Sequence, residues 1–229
     1  MKLKSINNYI ALICLIFFSF KEIELLEIKC NDTILCIDAF DVDTKNRLSS
    51  YNSNLITSAS IFNLPCLAHK TFDRLIAYHS LEWAFDAKYA LNYLIDKIKP
   101  GGFALVIISP LDSPLHNLAI KTLLNMNSRF RLAPDTLKIS NYKHIFQKSC
   151  HISYSNVTRK LHFISSQDEL EKTALCLAPC YLNDSQKKEF IEIFSSIAQK
   201  YKTKEGYIIP SKTLYLLLDK PIYIEATTK

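Results

Sequence analysis

The sequence predicts an α/β fold, a mostly parallel sheet with helices on both faces. Three observations lead there. Ile34-Leu35-Cys36-Ile37 and Phe103-Ala104-Leu105-Val106-Ile107-Ile108 are apolar without alternation, as strands covered on both faces are. From Asp86 to Lys97, the residues Ala87, Ala90, Leu91, Leu94 and Ile95, followed by Ile98, recur at helical spacing. A strand-like run, Phe72–Tyr78, precedes that helix, and Pro100-Gly101-Gly102 comes after it. Strand, helix, tight turn and strand in that order spell a right-handed crossover in a parallel sheet.

The elements succeed one another along the chain. Lys2 and Lys4 precede the apolar run Tyr9–Phe18, which is too short to span a bilayer. Positive residues before a short apolar stretch imitate a signal peptide, yet Ser19-Phe20-Lys21-Glu22 offers no small-residue cleavage site. A buried helix and a signal are both open readings. Ile34–Ile37 ends on the carboxylate of Asp38, Asp41–Leu48 reads as helical, and Leu55–Ala59 is a weaker strand. Asp86 is placed to cap the helix behind it by accepting backbone N–H bonds. Proline and glycine at positions 100–102 are expected to stop that helix. Farther on, Asn117–Met126 and Tyr142–Phe146 read as helices, and His151–Phe163 as one or two strands. Gln167–Ala178 and Ser185–Tyr201 are amphipathic helices, and Thr213–Leu218 is a final strand. No repeat or linker divides the chain, so a single domain over 1–229 is expected. Within it, 1–30 is a degenerate or apolar segment, and 164–206 is a helical cap inserted before the last strand.

Composition narrows the function classes. The chain has 229 residues, 48% hydrophobic and 22% charged, an ordinary balance for a packed domain. Its net charge of +6 comes from scattered lysines with no basic stripe, so nucleic acid is not an expected partner. Seven cysteines, an odd number without regular spacing, suit free thiols in a reducing compartment, and the cytoplasm is the expected location. Secretion or membrane tethering through residues 9–20 is the alternative. Cys176 and Cys180 share a helix face, but no second ligand pair completes a zinc site, so no metal is expected.

The run from Phe72 to Gly102, FDRLIAYHSLEWAFDAKYALNYLIDKIKPGG, resembles the class I S-adenosylmethionine-dependent methyltransferases. Phe72-Asp73, Leu81-Glu82-Trp83 and Ala90-Leu91 are similar to the juvenile hormone acid and trans-aconitate methyltransferases, which methylate a small-molecule carboxylate. The likeness extends more loosely from Ile34 to Pro221. It implies a Rossmann-like methyltransferase fold, S-adenosylmethionine as cofactor and a small carboxylic acid as substrate. It also assigns roles. Asp38, with Ala39 beside it, matches the acidic residue that binds the cofactor ribose, and a carboxylate can accept two hydroxyl bonds at once. Ser60, followed by Ile61, stands where relatives place an aspartate against the adenine amino group. Ala77 and Tyr78 end the strand beside the methionine part of the cofactor. Trp83 faces the substrate, its indole N–H available to a carboxylate; a plain core tryptophan is the other reading. His79 is set aside as a base and no catalytic residue is assigned, because a carboxylate is already ionised at neutral pH.

One departure is plain. The family's glycine-rich turn lets backbone approach the cofactor, which side chains block. This sequence has three glycines, Gly101, Gly102 and Gly206, so no G-x-G loop exists in it. Leu26-Glu27-Ile28-Lys29-Cys30-Asn31-Asp32 is similar to the usual leu-asp-ile-gly-cys-gly-asp with both glycines replaced. Alternatively, Ile6–Phe20 is the helix that comes after a lost first strand. Either way the expected fold is degraded or truncated at its N-terminal strand and loop, and an inactive relative with a binding role is the alternative to an enzyme.

Overall fold

The computed structural model describes residues 26–37, 56–59, 61, 64, 67–84, 86–126, 139–179 and 182–222. The strands are β1 (Ile34–Ile37), β2 (Ile56–Ala59), β3 (Phe72–Tyr78), β4 (Ile98–Ile108), β5 (His151–Ile164), β6 (Lys202–Thr203) and β7 (Gly206–Asp219). The helices are α1 (Ala87–Asp96), α2 (Pro114–Asn125), α3 (Ile139–Phe146), α4 (Gln167–Leu177) and α5 (Asp184–Ala198). Among the described residues the strands form one sheet in the order β2-β1-β3-β4-β7-β5, with β6 paired to β7. The first four are mutually parallel; β7 is antiparallel to β4, β5 and β6. The fold is thus α/β and Rossmann-like, parallel in its N-terminal half and antiparallel from β7 outward.

Strand alternation sorts the core into two faces. Leu35, Ile37, Leu75, Ala77, Ala104, Val106, Ile108, Leu214, Leu216 and Leu218 point to one face, where α1 and α3 cover them. Helix α1 contributes Ala87, Ala90, Leu91, Leu94 and Ile95, each large side chain stabilising the fold by roughly 1.5–3 kcal/mol through burial. Asp86 caps it by accepting from the Tyr89 N–H, as the sequence predicts. Ile34, Cys36, Ile76, Leu105, Ile107, Tyr215 and Leu217 point to the opposite face. Tyr207 and Ile209 lie on that same side of β7, and α2, α4 and α5 pack there around Phe190 and Phe194. Helices therefore occupy both faces.

Three expectations are corrected. Pro100-Gly101-Gly102 does not stop α1; the helix ends at Asp96, and those residues already belong to β4. There the Gly101 N–H donates to the Lys220 carbonyl, and Gly102 lies where a Cβ would come 2.8 Å from the Asp73 carbonyl. The last strand starts at Gly206 rather than Thr213, because pairing with β5 extends through Pro210-Ser211-Lys212, where no hydrophobic pattern announces it. The likeness of Leu26–Asp32 to a glycine loop is one of letters only. That segment lies at the amino ends of β1 and β3, the wrong end of the sheet for a cofactor loop. The buried Arg74 guanidinium holds it, donating to the carbonyls of Leu26 (2.8 Å) and Glu27 (3.2 Å) and pairing with Asp32 at 3.1 Å.

Candidate functional site

In an open α/β sheet the ligand crevice lies outside the carboxyl ends of the strands, where strand order reverses. Here the chain steps from β1 outward to β2, then returns to place β3 on the other side of β1. The reversal therefore falls at the carboxyl ends of β1 and β3, beyond Ile37 and Tyr78.

A compact polar cluster lies just beyond β3. His79 continues the ladder by donating its N–H to the Ile107 carbonyl (2.8 Å), but its own φ is 47°, a conformation rarely adopted outside glycine. That turn leads into a 3-10 helix, Leu81–Trp83, which brings Glu82 back under the histidine. The Glu82 carboxylate is 1% exposed; its Oε1 lies 2.9 Å from His79 Nδ1 and accepts the Ser109 N–H at 3.0 Å. Ser109 comes directly after β4, and its Oγ lies 3.1 Å from the same Nδ1.

Burial opposes charge on Glu82, yet its contacts with His79 and with the Ser109 amide outweigh that and hold the carboxyl below the usual range. His116, on α2, is fully buried, and desolvation pushes it down to about 4 against the pull of Glu82. It is neutral at pH 7. Burial, and next the Glu82 charge, push the Tyr142 hydroxyl up, so it stays protonated. Among the described residues, Ser80 Oγ, Glu82 Oε2, His116 Nε2 and Tyr142 OH are buried without a hydrogen-bond partner. Four such atoms mark this region as one that holds polar groups at a cost, since each is worth about 1–3 kcal/mol when unsatisfied.

The residues expected from the sequence separate. Asp38, Ala39 and Ser60 lie outside the described residues. The side chains of Ile61 and Ala77 are buried in the α1-side core, so a ligand would meet them through backbone. Tyr78 lies on the other face of β3, half-buried and edge-on to His79 at 4.7 Å between ring centroids. Trp83 is half-buried, packed against the helical cluster and edge-on to His116 at 4.9 Å. Glu82 is the site residue that sequence reasoning misses, being the unspecified middle of Leu81-Glu82-Trp83. Its spacing of three from His79 is a readable hint; the participation of Ser109, thirty residues downstream of His79, is not.

No family model matches the sequence, and neither does a curated protein. Solved structures do resemble it. One is a Bacillus halodurans protein assigned as a methyltransferase, 12% identical, covering 88% of this chain and 97% of that one at a TM-score of 0.58. Another is the YcgJ protein of Bacillus subtilis, 11% identical over 87% of this chain and 96% of that one, TM-score 0.52. A third comes from a Haloferax volcanii complex between a methyltransferase activator and a protein assigned as a methyltransferase, 11% identical over 89% and 88%, TM-score 0.51. At such identities the likeness is one of fold. The chain has the Rossmann-like fold of the class I methyltransferases.

Proposed function

We propose that the chain is an S-adenosylmethionine-dependent methyltransferase-type protein acting on a small molecule at the carboxyl ends of β1 and β3. The observation that carries this is the His79–Glu82–Ser109 cluster, set at the strand-order reversal of a methyltransferase fold. The fit to the cofactor is partial. By the family resemblance Asp38 would bind its ribose, Ser60 its adenine amino group, and the backbone at Ile61, Ala77 and Tyr78 would line its length. The glycine cradle does not fit: Gly101 and Gly102 sit in β4, and Gly206 opens β7. Side chains, not a backbone cradle, would have to hold the ligand, and weaker binding is the consequence.

When bound, the cofactor supplies an electrophilic methyl group. The chain's own residues exclude water and orient the acceptor; Trp83 is the proposed apolar wall and indole donor. The resemblance points to a carboxylate acceptor. The buried, ionised Glu82 beside Trp83 weighs against a second negative charge there, because close like charges disfavour each other. A second reading, an inactive relative that keeps a binding role, is favoured by the placement of all three glycines away from the β1 end.

Titration calorimetry with S-adenosylmethionine and its demethylated product separates the two. Heat at micromolar to millimolar ligand, lost in Asp38→Ala, is expected for the enzyme reading. No heat at millimolar ligand would sink it, and binding without methyl transfer to any acceptor would leave the inactive relative.

A further inference from the structure

The last pair between β4 and β7 is Ile108 with Leu214, so residues 206–213 of β7 run on past the carboxyl end of β4. A cavity of about 380 Å³ opens there, on the same edge of the sheet as the His79–Glu82–Ser109 cluster but lined by none of its residues. Asp112 and Pro114 line it from the start of α2, and Arg159, Leu161, Pro210 and Lys212 line it from the β5–β7 ladder. Lys160 also lines it, though its side chain leaves from the opposite face of β5. Arg159 stands directly across the ladder from Lys212, Leu161 from Pro210, and Phe163 from Ile208. Strand alternation places Arg159, Leu161 and Phe163 on one face. Like charges in direct cross-strand register oppose each other. Asp112 answers only one of the two cations, pairing with the Lys212 ammonium, while the Lys212 N–H donates to the Ser113 hydroxyl at 2.9 Å. The Arg159 guanidinium has no hydrogen-bond or ion-pair partner among the described residues. Beside it Leu161 is 57% exposed, and Phe163 is 69% exposed, two large apolar side chains side by side in water.

We propose that this cavity binds a small molecule carrying an oxyanion, a carboxylate or a phosphate, on an apolar body. Arg159 takes the oxyanion through its planar fork, which offers two parallel N–H donors to two oxygens. The ligand's negative charge also relieves the repulsion between Arg159 and Lys212. Its apolar body lies along Leu161 and Pro210 toward Phe163, and that surface leaves water on binding. The anion here is an anchor and not a reacting group. In the His79–Glu82–Ser109 cluster the ionised Glu82 disfavours a second negative charge, whereas Arg159 supplies a place for one. The site goes beyond the methyltransferase reading and needs no cofactor.

Titration calorimetry on the full chain without S-adenosylmethionine tests it, using octyl phosphate, octanoate, octylamine and octanol below micelle formation. At least one of the two anions should bind at micromolar to millimolar concentration, with octylamine and octanol weaker by about 10-fold or more. Arg159→Gln should weaken the anions by about 10-fold or more and leave octanol unchanged. Leu161→Ser should weaken every octyl compound, since the apolar contact is lost. Both side chains are exposed, and an unchanged Tm shows that each variant is folded. The tighter of the two anions tells whether the site takes a carboxylate or a phosphate. No heat with either anion at millimolar concentration, equal affinity for octylamine, or undiminished anion binding in Arg159→Gln overturns the proposal. So does a protein that ignores the soluble anions but sediments with phosphatidylglycerol vesicles, which would make the patch a lipid-surface contact. The methyltransferase reading stands under each of these results.

Discussion

At the scale of single residues, the anchoring end of the sheet and the candidate site each tie stability to pH through a group whose titration the fold lowers. Asp73 accepts from the Thr33 amide (2.8 Å) and hydroxyl (2.6 Å) and from Lys99 (2.8 Å), tying β3 to the residue before β1 and to β4. Burial works against its charge, but those contacts lower it from the ordinary 3.8 to about 2. A carboxyl depressed in the folded state adds stability above its unfolded value, and loses it as pH falls from near 4 through about 2. Asp73→Asn should lower stability at pH 7 by about 1 kcal/mol, after allowance for solvent screening, and flatten that acid limb in urea titrations. His116 acts over a higher window. Buried and neutral, it keeps its proton off down to about 4 while the unfolded chain binds one near 6.5, so stability falls as pH drops across that interval. His116→Leu should remove that part of the decline, seen as a smaller loss of urea midpoint between pH 7 and 4. Trp83 is legible in the sequence as a single conspicuous residue, but its contact with His116 is not, since 33 positions separate them.

Among elements, the helix α1 is legible almost to the residue, because its cap and its apolar stripe are both local. Its stop is not, because Pro100-Gly101-Gly102 has a tertiary role in which Gly102 lets β4 approach the Asp73 carbonyl. Gly102→Ala should cost about 1–3 kcal/mol, read by chemical unfolding, since the obstacle is backbone and cannot rotate away. Leu26–Asp32 misleads for a different reason. A seven-letter likeness carries no information about which end of the sheet a segment occupies, and Arg74 settles that by binding the Leu26 and Glu27 carbonyls. Arg74→Ala leaves those carbonyls and Asp32 without their cation. It should destabilise the fold by about 3 kcal/mol and speed hydrogen exchange of residues 26–33 before the sheet core opens.

For the whole molecule, the testable quantity is ligand-linked stability. A ligand at 100-fold over its dissociation constant adds about 2.7 kcal/mol, or roughly 5–10 °C in Tm for a domain of this size. S-adenosylmethionine should raise Tm in the wild type and leave Asp38→Ala unmoved; a flat response in both supports the inactive relative. Among the described residues no helix is long and apolar enough to cross a membrane, and the apolar run at Tyr9–Phe18 lies outside them. The sequence by itself determined the α/β class, the parallel strands and the absence of a glycine loop, because apolar period, caps and glycine count are properties of the letters. Only the tertiary structure decided the strand order, the antiparallel half from β7, and the union of His79, Glu82 and Ser109. Those depend on which strand ends meet, and no local pattern encodes a contact between residues brought together by a crossover.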